Sequence, residues 1–449
     1  LPRRVDFSPA QVFARDPSRA IGSLGGRAVS GQARHDYDPS TVTVGTTAQY
    51  EVTTNSDETI FKTIKATVRG QSTHANVWVA EANDVASPSK DSFIDDDIAA
   101  EKAQAFAEFF DDIYSDMTQV FGYECGGGPG GSGGMDGDAR VNILIYDIAY
   151  DNATVKNTES GIYGMFWGKD EYPTTTFSHS NQAELLYLDS QFSTKHYGLM
   201  CSTILHEFQH MINFNVKTLT NGKVSDTWYN EMLSMLAEDM MSANLETYLG
   251  ADYDAATDSP VAVRMPLYNE YFDRYGVTDW SNDNYYPYST AFGFGAYLAR
   301  NYGGVALVKA MAQNSDVNQA SVTAALSALG KSESTFDAAF ARYGEALVLS
   351  SSGFASGTVP ARYNTFDREV SGTIGTTTYK FPAFDIWTTM TGPHVFDVNY
   401  AYKAGMPGYS YMLQNDSQSW RNVTGSFAIT VEKPVDPDVR IYLITREER

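Results

Sequence analysis

The amino-acid sequence predicts an α+β fold, because strand-like and helix-like patterns fill separate long stretches of the chain. Short alternating runs of β-branched and apolar residues cover residues 41–82, and a helical apolar period follows from Asp91 to Val120. Helical periodicity dominates residues 196–351, and strand-like runs return after Gly353. A chain of 449 residues with 43% hydrophobic residues can bury a large core in two or three domains.

These changes of pattern divide the chain into three predicted regions. Residues 1–74 would form an extended arm followed by a small antiparallel β region, and residues 353–449 would form a β-sandwich domain. Between them, residues 75–352 would form the central domain, with a sheet lobe over residues 75–195 and a helical lobe over residues 196–352. The sequence leaves open whether the early strands join the C-terminal ones.

The charge balance and the hydropathy exclude several classes of partner. Lys and Arg total 32 against 55 Asp and Glu, and the net charge of -23 argues against nucleic acid or an anionic membrane as the partner. No window approaches the roughly eighteen unbroken apolar residues of a membrane span. The sequence opens at Leu1 with neither an initiator Met nor a basic-then-apolar leader, so a secreted or cell-surface location is an expectation that no signal peptide in this sequence supports directly. We also expect a monomer.

The sequence contains two cysteines, Cys125 and Cys201. So few cysteines suit an exported protein with at most one disulfide, although a reduced cytosolic pair would look the same. Cys125 precedes a glycine-rich run over residues 126–138, which lacks the Gly-Lys-Ser/Thr ending of a phosphate-binding loop. We expect this run to form a mobile loop.

One short motif, His-Glu-Phe-Gln-His, carries the clearest chemistry. His206 and His210 are four residues apart in a helical pattern, so both imidazoles lie on one face, with Glu207 beside them. This spacing is typical of a zinc site. Apolar residues surround the predicted helix over residues 196–215, so unpaired polar groups on it would be costly. The alternative is a pair of core histidines held by ordinary hydrogen bonds.

A catalytic zinc ion usually has three protein ligands and leaves a fourth position for water. Glu231 is the best candidate for the third ligand. An Asn-Gly turn at residues 221–222 and a Ser-Asp helix cap at residues 225–226 separate it from the histidines. The chain is therefore predicted to reverse and to return Glu231 to the histidine pair on a second helix.

Together these motifs resemble a known group of enzymes. HExxH followed about twenty residues later by NExxS is similar to the gluzincin metallopeptidases, and HEFQHMINF with WYNEMLSMLAED most resembles the hyicolysin family of bacterial neutral zinc metallopeptidases. The resemblance is strongest over residues 199–241. It implies a gluzincin-like core of a sheet, an active-site helix and a helical lobe. It also implies one catalytic Zn2+ held by His206, His210 and Glu231, with Glu207 as the catalytic carboxylate.

One position departs from the thermolysin-like pattern. In those enzymes an Asp commonly follows the ligand Glu by four residues and orients a zinc-binding histidine, but here that position is Met235. Another polar residue would have to orient a histidine, and Glu238 and Asn213 are the candidates. An ordinary packing role explains either residue as well.

The residue chemistry implies a mechanism. Glu207 would act as general base on a metal-activated water and would deliver the proton to the leaving amine. A separate donor would stabilise the developing oxyanion. Tyr288 in the Asn-Tyr-Tyr-Pro-Tyr run is our candidate, although packing would also explain a single tyrosine among the 29 of the chain.

A glycine-spaced aromatic stretch at residues 161–168 suggests where a substrate binds. Tyr163, Phe166 and Trp167 would lie on an edge strand that pairs with an extended peptide through main-chain hydrogen bonds. The alternative is that these aromatic side chains belong to the core.

The predicted function is that of a secreted zinc-dependent endopeptidase acting on protein or peptide substrates. The alternative is a secreted binding or adhesion protein with a vestigial or structural metal site, although a structural zinc is normally closed by four protein ligands. Ca2+ is a further possible cofactor, because acidic residues lie at Asp95 to Asp97 and at Asp111 to Asp112. A solvated helix face explains these acidic residues as well.

Overall fold

The computed structural model describes residues 38–54, 60–81, 98–148, 162–271, 275–280, 286–349, 366 and 368–386. These residues form a mixed α+β architecture of the class that the sequence predicted. Several sequence-based predictions lie outside the described residues: the N-terminal arm, Asp95 to Asp97, and the part of the predicted C-terminal β-sandwich after residue 386.

A mixed six-stranded sheet forms one layer of the described fold, in the order β1-β2-β3-β4-β6-β5. Its strands are β1 (Thr47–Thr53), β2 (Phe61–Gln71), β3 (Ala75–Ala80), β4 (Val141–Tyr146), β5 (Gly164–Phe166) and β6 (Leu185–Asp189). The β3–β4 and β4–β6 pairs are parallel, and the other pairs are antiparallel. Every residue of β3, β4 and β6 is buried, as expected for central strands that are covered on both faces.

The early strands belong to this same sheet. Strand β2 pairs antiparallel with β3, so the predicted boundary at residue 75 does not separate two sheets. The sequence could not show this, because strand pairing depends on tertiary contacts that a single sequence does not display.

Helix α1 (Ala100–Phe121) packs on β2 and β3, and its buried residues include Phe106, Phe110 and Met117. The helix begins at Ala100 rather than at the predicted Asp91. Ala99 has extended backbone angles, and the carbonyl of Ile98 accepts a hydrogen bond from Arg69 Nη1 at 3.0 Å instead of joining the helix.

One acidic residue of the predicted calcium cluster, Asp111 of α1, has hydrogen-bond partners in the fold. The carboxylate of Asp111 accepts hydrogen bonds from the hydroxyl of Ser72 and from the backbone amides of Thr73 and His74. Asp111 therefore fixes the turn between β2 and β3, which is the structural alternative to the predicted calcium site.

The remaining described helices follow strand β6 along the chain, and we refer to them as the helical lobe. They are α2 (Ser190–Lys195), α3 (Tyr197–Asn213), α4 (Thr227–Leu249), α5 (Pro260–Tyr271), α6 (Tyr286–Tyr302), α7 (Val305–Gln313), α8 (Asn318–Ala328) and α9 (Phe336–Leu349). Helix α4 packs against α3, α5, α6 and α7 and is buried around most of its circumference. It is the central helix of this lobe.

A two-stranded hairpin follows the helical lobe. Strands β7 (Val370–Ile374) and β8 (Thr377–Phe381) pair antiparallel and pack on α7 and α4. The hydroxyl of Thr377 donates to Asp116 Oδ1 at 2.8 Å, and Tyr379 donates to the Asp116 carbonyl at 2.9 Å. This hairpin is attached to the helices, and a β-sandwich farther along the chain stays a prediction.

The glycine-rich run after α1 is compactly folded rather than loose. The Gly133 amide donates to the Gly126 carbonyl at 3.1 Å, and the Gly137 amide donates to the Gly133 carbonyl at 2.8 Å. Met135 and Asp136 are buried and anchor the loop in the interior. The glycine content favoured the prediction of a mobile loop. That prediction is wrong, because composition does not show that Met135 and Asp136 are buried.

Both cysteines are free thiols. They do not form a disulfide with each other in this structure, which is compatible with both alternatives that the sequence left open. Cys201 is buried in α3, and Cys125 is half-buried at the start of the glycine-rich loop.

A buried ion pair joins α4 to α6. Arg300 forms a bidentate pair with Asp239, with Nη–Oδ distances of 2.7 and 3.0 Å. The same guanidinium donates to the carbonyl of Pro382, and both charged side chains are fully buried. The pair thus connects two helices of the lobe to the segment that follows the hairpin.

Replacing Arg300 with Met is expected to lower the free energy of unfolding by about 3–5 kcal/mol, because it leaves the buried carboxylate of Asp239 unpaired. Urea denaturation measures the loss. Lys65→Met is the control, since its pair with Glu81 is partly exposed and should contribute less than about 1 kcal/mol. Equal losses for the two variants would contradict the assigned role of Arg300.

Candidate metal centre

Helices α3 and α4 bring His206, His210 and Glu231 together. Ligand atoms of these three residues all lie within 4.8 Å of one another. Glu231 Oε2 is 3.0 Å from His206 Nε2 and 3.5 Å from His210 Nε2. All three side chains are buried, and two imidazoles with one carboxylate are a donor set that catalytic zinc takes in proteins. The residues therefore fit a zinc ion.

The local sequence explains how the two helices meet. After α3 the chain continues through π-helical turns at Phe214–Thr220 and reverses at Gly222, whose φ of +65° suits glycine. Asp226 then takes the extended backbone conformation of a helix N-cap before α4. Glu231 lies in the second turn of α4, facing the histidines, as the turn and cap signals predicted.

Electrostatics favour positive charge between these three side chains. Burial lowers the pKa of His206, but hydrogen bonds with Glu231 and Glu238 outweigh it and raise that pKa to about 10. Burial raises the pKa of Glu231, but His210 and His206 outweigh it and lower that pKa to about 2. The carboxylate of Glu231 thus stabilises positive charge at this point, whether protons or a metal ion carry it.

Glu238 holds the other ring nitrogen of His206. Its Oε1 lies 2.6 Å from His206 Nδ1, and the structure therefore places this predicted candidate next to the histidine. Arg264 donates two hydrogen bonds to the same carboxylate, at 2.7 and 3.0 Å. Because Nδ1 of His206 is occupied by Glu238, Nε2 is the nitrogen that faces Glu231.

Sequence reasoning missed Arg264. This residue lies on α5 in the run Val-Ala-Val-Arg-Met-Pro-Leu and is buried. A single cation among apolar residues indicates a buried partner, and that signal could have singled it out. Its partner Glu238 is 26 residues away in the chain, so the sequence alone does not pair them.

The second histidine is held by the serine of the NExxS motif. Ser234 Oγ lies 3.0 Å from His210 Nδ1. The other predicted candidate, Asn213, lies elsewhere: its amide donates to Asn230 Oδ1 at 2.8 Å and to Ser225 Oγ at 3.2 Å. Asn213 therefore connects the end of α3 to the start of α4.

Glu207 lies beside the three candidate ligands and faces the edge of the sheet. Its Oε2 accepts a hydrogen bond from the backbone amide of Phe166 at 2.8 Å. Burial raises the pKa of Glu207 to about 6, against the opposing effect of the neighbouring histidines. Strand β5 thus positions the carboxylate that the sequence identified as catalytic.

The predicted substrate strand is at the edge of the described sheet, since β5 pairs only with β6 in the strand order. The side chains of Tyr163 and Phe166 are buried, and Trp167 stacks on Phe61 with 5.5 Å between ring centroids. Tyr163 and Phe166 therefore pack in the interior, and contact of Trp167 with a substrate stays a prediction. Main-chain pairing with a peptide stays a prediction.

Tyr288 lies in the first turn of α6 and is buried. Its hydroxyl donates a hydrogen bond to Glu231 Oε1 at 3.3 Å. The structure therefore brings this predicted residue to the candidate ligand Glu231. Trp280 packs edge-on against its ring with centroids 4.8 Å apart.

Comparison with known proteins agrees with this geometry. The Peptidase M30 family matches residues 54–370, a range that contains every candidate ligand. The chain is also 34% identical over 175 residues to the "Neutral metalloprotease ShpI" of Staphylococcus hyicus. That alignment covers 37% of this chain and 34% of the relative, so the chain spans about a third of the relative's length. The resemblance seen in the motifs is confirmed, and the chain belongs to the Peptidase M30 family.

Proposed function

We propose that the protein is a secreted zinc-dependent endopeptidase that hydrolyses peptide bonds in protein or peptide substrates. The observation that carries this proposal is the buried group of His206, His210 and Glu231 with Glu207 beside it. Membership of a peptidase family supports it. No helix among the described residues has the length and apolarity to cross a membrane.

The two histidines and Glu231 would hold the zinc ion. When bound, zinc lowers the pKa of its water toward about 7 and polarises a substrate carbonyl. The protein's own contribution is to fix both imidazoles through Glu238 and Ser234, which limits the reorganisation needed when the ion binds.

Glu207 would be the general base. The Phe166 amide holds one of its carboxylate oxygens and thereby orients the side chain. Burial raises the pKa of this carboxylate to about 6, so Glu207 can accept a proton and release it again near neutral pH. It would then pass that proton to the leaving amine.

Tyr288 would stabilise the developing negative charge on the substrate oxygen. Its hydroxyl is already within the site, bonded to Glu231, and a phenol is a suitable donor to an oxyanion. Strand β5, which is an edge strand of the described sheet, would align an extended peptide next to Glu207.

Zinc and Glu207 provide the direct test of this function. The purified protein is expected to cleave casein, to lose cleavage when a chelator removes the metal, and to regain it with zinc. Glu207→Gln is expected to retain zinc while the cleavage rate falls by about 10²–10⁴-fold, because the base is lost. Glu81→Gln, the same change at a carboxylate paired with Lys65, is the control. Zinc-loaded wild-type protein that cleaves no protein or peptide would refute the proposal and would favour the binding-protein alternative.

Glu238→Gln is expected to weaken zinc binding by about 10–100-fold, because His206 loses the carboxylate that orients it. Competition with a chromophoric zinc chelator measures the affinity. Glu246→Gln, at an exposed position of the same helix, is the control.

The substitution Glu238→Gln also leaves the buried Arg264 guanidinium without its carboxylate partner. The double variant Glu238→Gln with Arg264→Met removes both charges, so weak zinc binding that persists in it reflects the lost orientation of His206. Unchanged affinity in both variants would show that Glu238 does not orient the ligand.

Tyr288→Phe is expected to lower kcat by about 10²–10³-fold, with KM and zinc content nearly unchanged, because only the oxyanion donor is removed. Steady-state kinetics on a fluorogenic peptide measure both constants. Tyr268→Phe is the control, since its buried hydroxyl bonds to Tyr343 in the same lobe. An unchanged kcat for Tyr288→Phe would assign this tyrosine to packing.

A further inference from the structure

A second group of possible metal ligands lies outside the proposed active site. Ligand atoms of Cys125, Glu171 and Glu184 all lie within 4.8 Å of one another. Three separate segments supply them: the start of the glycine-rich loop, the 3-10 turn Gly168–Glu171 that follows β5, and the residue before β6. Both glutamates are almost fully buried, with exposed fractions of 1% and 2%.

The two carboxylates of this group have no cationic partner among the described residues. Glu184 Oε1 accepts a hydrogen bond from the Met135 amide, while Glu184 Oε2 and both oxygens of Glu171 lack a hydrogen bond of good geometry there. Lys169, two residues before Glu171 in the chain, pairs with Asp170 instead. Arg140 pairs with Asp138. Two buried carboxylates this close to each other are costly unless a proton or a cation neutralises them.

Burial raises the pKa of both glutamates. It raises the pKa of Glu171 to about 8 and raises that of Glu184 well above its ordinary value. The charge of Glu171 adds to the rise for Glu184 through like-charge repulsion. The group therefore favours the uptake of positive charge.

We propose that Cys125, Glu171 and Glu184 bind a second divalent cation of the zinc type. Sulfur and carboxylate donors together fit zinc, which accepts both, whereas calcium takes oxygen ligands only. The cation would neutralise the buried carboxylates and join the three segments.

The glycine-rich loop is shaped around this group. The Met135 amide donates to Glu184 Oε1 at 2.8 Å, and a Cβ on Gly134 would lie only 1.9 Å from the same oxygen. Gly134 also has a φ of +63°, which favours glycine. The loop therefore places its backbone directly against the carboxylate and closes one side of the site.

The proposed cation has a consequence for the edge strand. Glu171 follows β5 closely in the chain, and Phe166 of β5 donates to Glu207. A cation on Glu171 and Glu184 would fix the end of β5 to the start of β6. Its role is thus structural support of the strand that orients Glu207.

Metal analysis of the purified full chain after dialysis against zinc tests the proposal. Wild-type protein is expected to retain two zinc ions per chain. Glu171→Gln and Cys125→Ser should each retain only one, while Glu231→Gln should lose the other ion and keep this one. Glu81→Gln is the control and should retain both. Circular dichroism establishes that each variant is folded.

Reaction of the thiol gives an independent readout. Cys125 is half-buried and Cys201 is buried, so Cys125 should dominate the reaction with a chromogenic disulfide. Zinc is expected to slow this reaction about tenfold in wild-type protein and in Glu231→Gln, but not in Glu171→Gln. This measurement does not depend on peptidase activity, so its failure is distinct from failure of the proposed function.

Two results would overturn the proposal. A single zinc per chain that Glu171→Gln leaves unchanged would identify Glu171 and Glu184 as a carboxyl pair sharing a proton. Loss of a bound calcium ion in Glu171→Gln, with zinc content and thiol reactivity unchanged, would show an oxygen-only site without Cys125.

Discussion

The structure depends on how buried charges are paired along helix α4. This helix is enclosed around most of its circumference, yet it carries three buried acidic residues. Glu231 lies against the two histidines of α3, and Glu238 lies against Arg264 of α5. Asp239 lies against Arg300 of α6. Because a buried carboxylate is tolerated only when it is paired and hydrogen-bonded, these contacts specify how three helices pack on α4.

The same contacts shape the proposed active site. His206 lies between two carboxylates, one at each ring nitrogen, and Arg264 balances the outer one. On the opposite side, the sheet contributes the Phe166 amide that orients Glu207. The site is therefore assembled where the edge of the sheet meets the buried pair of helices. Glu171 differs from the acids of α4, because no cationic side chain pairs with its carboxylate within the described part of the chain.

Local signals in the sequence account for what could be predicted. The proposed ligand group followed from two histidines one turn apart and from a turn and a cap before Glu231, and helices α3 to α9 lie within the range 196–351 where helical periodicity dominates the sequence. Tertiary contacts account for what could not. Arg264 reaches the site only through the packing of α5 on α4, and the glycine-rich loop is held by buried side chains that composition does not reveal. The pairing of β2 with β3 also depends on long-range contacts.

The central claim is that His206, His210 and Glu231 hold one zinc ion. Anomalous diffraction at the zinc absorption edge, from crystals of the zinc-loaded protein, tests it most directly. The account predicts an anomalous peak bounded by His206 Nε2, His210 Nε2 and a carboxylate oxygen of Glu231, at zinc–ligand distances of about 2.0–2.2 Å. Zinc-loaded crystals without a peak between these three residues, or with Glu231 turned away from the ion, would contradict it.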